Sequence, residues 1–193
     1  PVKLKSGILG SMLSLPYIPD ALIKPLKIPF WRGKLDDAPY ERATDLGAKY
    51  DVVLTDLWCK KKTCFTDVKS VTDKTKHEEN FPWKNLDEWR QFVYDTVKEA
   101  NDSGKNIKYW EPINEPLNTG FWSPNDKPKE VFEAYKLAYQ AIKEADPEAW
   151  VGGPGFESYD KRKIELFLAA TVKEGIGVDF LIWHELHGQT AEI

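Results

Sequence analysis

The sequence is poor in the residues that mark several protein classes. Its only cysteines, Cys59 and Cys64, have no histidine nearby, so they fall short of a zinc ligand set. No apolar run approaches the roughly 18–20 residues that cross a bilayer. The 27 lysines and arginines do not outnumber the 31 aspartates and glutamates, so the excess of positive charge that binds nucleic acid or anionic membranes is missing. We therefore expect no metal, no cofactor, no nucleic-acid partner and no membrane partner.

What is present indicates an ordinary globular chain. Hydrophobic residues make up 41% and charged residues 30%, which is not the balance of a disordered chain. The length suits one domain over residues 1–193, although a (β/α)8 barrel typically takes about 250 residues. Eight tryptophans, eight tyrosines and nine phenylalanines fill a core in most proteins, but aromatic rings also stack on sugars. The aromatic excess is therefore compatible with a carbohydrate cleft.

Two features of the chain leave alternatives open. It begins with Pro1 rather than methionine, which a processed secreted protein, a trimmed chain and an internal fragment would share. A secreted or extracellular location is the expectation. Cys59 and Cys64 are either a disulfide that staples one small loop or two free thiols.

Strand-like and helix-like segments alternate along the whole chain. We expect strands near residues 4–9, 28–31, 51–58, 107–110, 149–152 and 179–183, the fifth of them closed by Gly-Pro-Gly at 153–155. Helices are expected near 39–47, 86–103, 128–145 and 161–173, the second of them capped by Asn85. This alternation implies a parallel sheet with right-handed crossovers. The long polar stretch 60–82 is expected to form a functional loop.

Apolar residues recur at helical spacing in three of the expected helices, which predicts one buried face for each. The predicted buried stripes are Leu86, Trp89, Val93 and Val97; Val131, Phe132, Tyr135, Tyr139 and Ile142; and Ile164, Phe167, Leu168 and Val172.

The segment 110–116, Trp-Glu-Pro-Ile-Asn-Glu-Pro, places an Asn-Glu pair just beyond the apolar run 107–110. In a glycosidase, such a pair at the end of a buried strand can hold a sugar hydroxyl through the Asn and carry the proton for the leaving group on the Glu. That chemistry needs a second carboxylate. Polar and aromatic residues also lie at the carboxyl ends of other expected strands, where the chemistry of parallel barrels sits: Arg32, Trp58 and His184.

Three segments resemble the retaining glycoside hydrolases of clan A, and most of all family 39. They are 110–116, Trp-Val-Gly-Gly-Pro at 150–154 and Asp-Phe-Leu-Ile-Trp-His at 179–184, and they would belong to the fourth, fifth and sixth strands. The resemblance implies an α/β fold, a (β/α)8 TIM barrel that is incomplete in this chain, with about six β/α units. It also implies a nucleophile at the end of the seventh strand, beyond Ile193.

The resemblance further implies roles for individual residues. Glu115 would be the general acid/base, with a pKa raised by burial among aromatic side chains. The implied substrate-binding residues are Asn114 (sugar 2-hydroxyl), Arg32 (orientation of the nucleophile), His184 (sugar site), Trp58 and Trp122 (stacking platforms) and His187. Many relatives carry a tyrosine two residues after the histidine, where this chain has Leu186. Each candidate also has a structural interpretation as a strand-end, turn, surface or core residue.

The second carboxylate is not identified within the sequence. Glu111 and Glu185 are candidates by proximity, but neither matches the position of the family's nucleophile. An inverting mechanism with Glu185 or Asp56 would need carboxyl groups about 6.5–9.5 Å apart, against about 5–5.5 Å for retention.

Three functions follow from these alternatives. The first is a retaining glycosidase acting on an oligosaccharide or polysaccharide through Glu115 and a nucleophile outside the chain. The second is a carbohydrate-binding pseudoenzyme, and the third is a scaffold or assembly protein. Since six strands cannot close a barrel, we also expect open sheet edges. These edges would pair with the rest of a longer protein, with a complementary chain or with a neighbouring copy.

Overall fold

The structure of the protein, a computed structural model, describes residues 7–9, 18–35, 37–55, 81–117 and 127–184. Its strands are β1 (Gly7–Leu9), β2 (Phe30–Gly33), β3 (Lys49–Val53), β4 (Tyr109–Glu111), β5 (Trp150–Phe156) and β6 (Phe180–Trp183). Its helices are α1 (Asp20–Ile23), α2 (Asp37–Asp45), α3 (Leu86–Asp102), α4 (Pro128–Ala145) and α5 (Lys161–Glu174), with 3-10 turns at Lys24–Leu26 and Pro82–Lys84.

The strands form one sheet in the order β1-β2-β3-β4-β5-β6. Every neighbouring pair is parallel, and the spatial order equals the chain order, as in a barrel wound in one direction. Within the described part of the chain, β1 and β6 are the two edges. The predicted α/β fold, an incomplete (β/α) barrel, is confirmed.

The boundaries of several elements differ from the prediction. β5 does not end at Gly152: it runs to Phe156, because Pro154 still pairs with Ile182 and Phe156 with Trp183 on β6. The Gly-Pro-Gly segment therefore lies inside the strand, as an irregularity near its carboxyl end, and does not close it. β4 begins at Tyr109, where its pairing with Asp51 of β3 begins, and not at residue 107. The short helix α1 was not predicted.

Helices α3 and α4 bury their apolar stripes in one core with the side chains of the sheet. Trp89, Val93 and Val97 of α3 are buried, as are Val131, Tyr135 and Ile142 of α4. The indole Nε1 of Trp89 donates to the carbonyl oxygen of Ala134 at 2.8 Å and so ties α3 to α4.

One predicted core residue is wrong. Val172 of α5 is 79% exposed, and Leu166 on the same helix is 63% exposed. The reason is that, among the described residues, helix packing reaches α5 from the side of α4, where its Phe167 ring packs edge-on against Tyr135 at 4.8 Å. In the described residues, no helix covers the opposite flank.

The inner face of the sheet is layered. The ring of Tyr109 contacts three aromatic rings edge-on, with centroid distances of 4.9 Å to Phe30, 5.5 Å to Trp150 and 5.5 Å to Phe180. Because side chains alternate along a strand, residues two positions further on face the same interior, closer to the carboxyl ends. Arg32 and Glu111 are such residues, so the aromatic layer supports a polar layer above it.

The helix caps allow a paired stability test. The Asn85 side chain accepts from the Glu88 N–H at 3.3 Å and donates to its carboxylate at 2.7 Å, whereas Lys127 at the start of α4 makes no side-chain cap. We expect Asn85→Ala to lower the free energy of unfolding by about 0.5–2 kcal/mol. Lys127→Ser should raise it, because the new hydroxyl group and Glu130 would form a capping box. Denaturant unfolding measures both, and equal effects of the two changes would contradict this interpretation.

Candidate active site

The carboxyl ends of the strands bring polar residues to one edge of the sheet. Arg32 lies in β2, Thr55 follows β3, and Asn114 and Glu115 follow β4. The hydroxyl oxygen of Thr55 accepts from the Asn114 backbone N–H at 2.9 Å, which fixes the turn after β4. His184 follows β6 directly. This is the edge at which parallel barrels carry their chemistry.

Glu115 is held in an unusual backbone conformation. Its φ is 46°, in the left-handed region that costs a non-glycine residue about 1–3 kcal/mol and often marks a functional site. The conformation is supported by β5, since the Glu115 N–H donates to the Gly155 carbonyl oxygen at 2.9 Å. The residue is only 2% exposed. A buried carboxyl group is thus held rigidly where the strand ends.

His184 contacts this carboxyl group directly. Its Nδ1 lies 2.7 Å from Glu115 Oε1, and its backbone N–H donates to the Phe156 carbonyl oxygen at 2.8 Å. When Glu115 is ionised, Nδ1–H donates; when Glu115 is protonated, a neutral imidazole can accept instead. The contact therefore accommodates both the ionised and the protonated form of Glu115.

A second cluster lies beside the first. Arg32 forks Glu111, with Nε 2.5 Å from Oε2 and Nη2 2.8 Å from Oε1. The same Nη2 donates to the side-chain oxygen of Asn114 at 2.7 Å. Because a guanidinium group only donates, the Asn114 atom that faces it must be the oxygen. The amide nitrogen of Asn114 therefore points away from Arg32.

Gly155 is required by the close approach of Glu111. A Cβ atom at this position would lie 2.5 Å from Glu111 Oε1 and 2.8 Å from the Ile113 carbonyl oxygen. The φ of Gly155 is also +65°, which any side chain would strain. Gly155 of β5 thus supports the site in two ways: its carbonyl oxygen accepts from the Glu115 N–H, and its missing side chain leaves space for Glu111.

Asp51 is a third carboxyl group in the polar layer. It pairs in register with Arg32 and is buried, and its Oδ1 has no hydrogen-bond partner among the described residues. Burial, and next the charge of Glu111, raise the pKa of Asp51 to about 8, while Arg32 opposes the shift. With its pKa raised to about 8, the carboxyl group of Asp51 is mostly protonated at pH 7.

The structure brings together four of the predicted site residues: Arg32, Asn114, Glu115 and His184. Trp58, Trp122 and His187 lie outside the described residues, as do Asp56, Glu185 and both cysteines. Glu111 is fully buried and its two oxygens are bound by Arg32, so it is closed to a substrate.

Sequence reasoning missed the contributions of Thr55, Asp51 and Gly155. An acidic residue that opens an apolar run, as Asp51 does at 51–54, was a signal that could have been used.

Neither a metal site nor a membrane span is found in the part of the chain that the structure describes. Across those residues, no group of three or more histidine, cysteine, aspartate or glutamate side chains could hold a metal ion. None of the described helices is long and apolar enough to span a membrane.

Comparison with known proteins gives a consistent family. The sequence model of glycosyl hydrolases family 39 matches residues 63–192. A β-xylosidase of Caldicellulosiruptor saccharolyticus is 36% identical over 109 residues, which are 54% of this chain and 22% of that protein.

Solved structures show the same fold. A monomeric β-xylosidase of Caulobacter crescentus CB15 matches 94% of this chain and 41% of its own, with a TM-score of 0.64 and 21% identity. The protein N2152 of Neocallimastix frontalis matches 95% of this chain and 44% of its own, with a TM-score of 0.66 and 21% identity. At these identities the likeness shows the fold alone. The chain spans less than half the length of all three relatives.

Gly155→Ala tests the contact with Glu111. We expect a loss of stability larger than the about 1–2 kcal/mol of left-handed strain alone, because the new methyl group displaces Glu111 or the Ile113 carbonyl. Gly175→Ala is the matched control, since Gly175 has a φ of +66° and nothing within 4 Å of its Cβ position. Denaturant unfolding gives the difference, and equal losses for the two variants would contradict the close approach.

The shifted pKa of Asp51 predicts a pH dependence of stability. The ordinary pKa of its carboxyl group is 3.8 and the folded value is about 8, so between these the folded state binds the extra proton. The stabilising contribution is present below about pH 4 and is lost as the pH rises to about 8. Relative to the Asp51→Asn variant, the free energy of unfolding of the wild type should therefore fall across this window and level off above it. Parallel pH profiles for the two proteins would contradict a neutral Asp51.

Proposed function

Because the chain belongs to glycosyl hydrolases family 39, we propose that it carries the acid/base part of a glycosidase active site, with Glu115 as the proton-transferring group. The observation that supports this most directly is the buried Glu115 carboxyl group, 2.7 Å from His184 Nδ1 at the carboxyl end of β4. A glycosidase needs one carboxyl group that protonates the departing oxygen. Burial and a contact that accommodates either protonation state suit that task.

The proposed reaction proceeds in two steps. Glu115 gives its proton to the glycosidic oxygen while a carboxylate outside this chain attacks the anomeric carbon, and the aglycone leaves. Glu115, now ionised, takes a proton from water, which attacks the anomeric carbon and releases the sugar and the nucleophile. Glu111 does not serve as the nucleophile, because Arg32 occupies both of its oxygens.

The remaining residues are proposed to bind the sugar. Asn114 presents its amide nitrogen as a donor to the sugar 2-oxygen, an interaction that strengthens in the transition state. His184 lines the same site. Trp58, Trp122 and His187 stay proposals from sequence.

A β-xyloside is the first substrate to test, since the relative with 36% identity is a β-xylosidase. An oligosaccharide or polysaccharide substrate and a secreted location are part of the same proposal.

The test replaces Glu115 in the natural protein that carries this chain. Glu115→Gln should lower kcat/KM for aryl β-xylosides by about 10²–10⁴-fold, with the larger loss on the poorer leaving group, which depends more on protonation. Azide should partly restore the turnover of Glu115→Ala by replacing the water that the lost base activates. Glu99→Gln, an exposed change on α3, is the control and should keep full activity.

Two results would decide against the proposal. Unchanged hydrolysis by Glu115→Gln would exclude Glu115 as the acid/base. A wild type that binds xylo-oligosaccharides in calorimetry without turning them over would favour a carbohydrate-binding protein instead.

A further inference from the structure

Glu111 is a buried charged residue that the proposed reaction does not use. Its exposure is 0%, and a carboxylate is costly to bury unless it is paired and hydrogen-bonded. The structure pairs it fully, since both oxygens accept from Arg32. Its own backbone is fixed as well, because its carbonyl oxygen accepts from the Leu54 N–H at 2.9 Å. This pairing fixes the orientation of the Arg32 guanidinium group relative to Glu111.

The orientation of Arg32 matters because its guanidinium group also donates a hydrogen bond to Asn114. A guanidinium group is planar, so two bonds to one carboxylate fix the plane of the whole group. Its Nη2 then reaches Asn114 Oδ1 at 2.7 Å from a defined side. The amide of Asn114 is held with its oxygen inward, and its nitrogen is the group turned away from the charged cluster.

We propose that Glu111 is a positioning residue of the glycosidase site: it anchors Arg32, and Arg32 orients the Asn114 amide so that its N–H donor faces the sugar 2-oxygen. This inference rests on the proposed function and adds a residue to it. Glu111 acts through Arg32 and Asn114 and contacts no reacting atom.

Two neighbours of Glu111 preserve this arrangement. Gly155 leaves the space that Glu111 occupies, since a Cβ there would be 2.5 Å from Oε1. Asp51 lies beside Arg32 in the sheet and is kept uncharged by burial and by Glu111. An ionised Asp51 would compete for the guanidinium group and turn it away from Asn114.

The test uses substrate pairs that differ only at the sugar 2-position. In the natural protein that carries this chain, Glu111→Gln keeps the side-chain shape but replaces one accepting oxygen by a donor, which breaks the fork. We expect kcat/KM for an aryl β-xyloside to fall by about 10²-fold, and that for its 2-deoxy analogue by no more than about threefold. Arg32→Lys, which keeps the charge and loses the fork, should likewise lower kcat/KM for the β-xyloside more than for its 2-deoxy analogue.

Asp146→Asn is the matched control. Asp146 is also a buried carboxyl group paired with a cation, Lys108 at 3.2 Å, but it lies at the opposite end of β5. It should affect both substrates equally, whatever it does to stability. In addition, the loss caused by Glu111→Gln should disappear in an Asn114→Ala background, since the two changes act on one contact.

Other results overturn the inference. Equal losses on the two substrates, or additive effects of Glu111→Gln and Asn114→Ala, would show that Glu111 serves stability alone. If the wild type hydrolyses neither substrate, the proposed function fails, but a crystal structure of the Glu111→Gln variant still decides the positioning role. An Asn114 amide that stays in place in that structure would refute it, and a rotated amide would support it.

Discussion

The fork between Arg32 and Glu111 is the interaction on which the site depends. It joins β2 to β4 across β3, which lies between them, and therefore spans the concave face of the sheet. It allows the carboxylate of Glu111 to be buried in the polar layer, because both of its oxygens are paired. The two carboxyl groups beside Arg32 therefore differ: Glu111 is paired with the guanidinium group, whereas burial and the charge of Glu111 raise the pKa of Asp51 to about 8 against the opposing effect of Arg32.

Local signals in the sequence were enough for most of the fold. The cap at Asn85, the apolar stripes of α3 and α4 and the alternation of elements depend on residues a few positions apart, and the structure confirms them. The errors occurred where a distant partner decides. β5 extends through Gly153-Pro154-Gly155 because β6 pairs with it, and Val172 of α5 is exposed because no described helix covers that flank. Neither the pairing of β5 with β6 nor the lack of a helix over that flank of α5 can be read from the segment itself.

In the candidate site, too, some residues are recognisable from local sequence and others depend on distant partners. Asn114 and Glu115 are recognisable from their own heptapeptide, and His184 from the segment around it. The pairing of Arg32 with Glu111, 79 positions apart in the chain, cannot be read from either segment, so Glu111 was a candidate for the second carboxylate. Gly155 looked like a turn residue because only the folded chain brings it against Glu111.

The left-handed backbone at Glu115 has a consequence for how this protein responds to selection. Glu115 has a φ of 46°, which glycine adopts without strain and glutamate does not. The residue that the backbone conformation favours at this position is therefore not the one with a carboxyl group. A library screened for heat tolerance alone would therefore enrich glycine here and lose the carboxyl group proposed as the proton donor. Selection for stability and selection for activity therefore favour different residues at position 115, glycine in the first case and glutamate in the second.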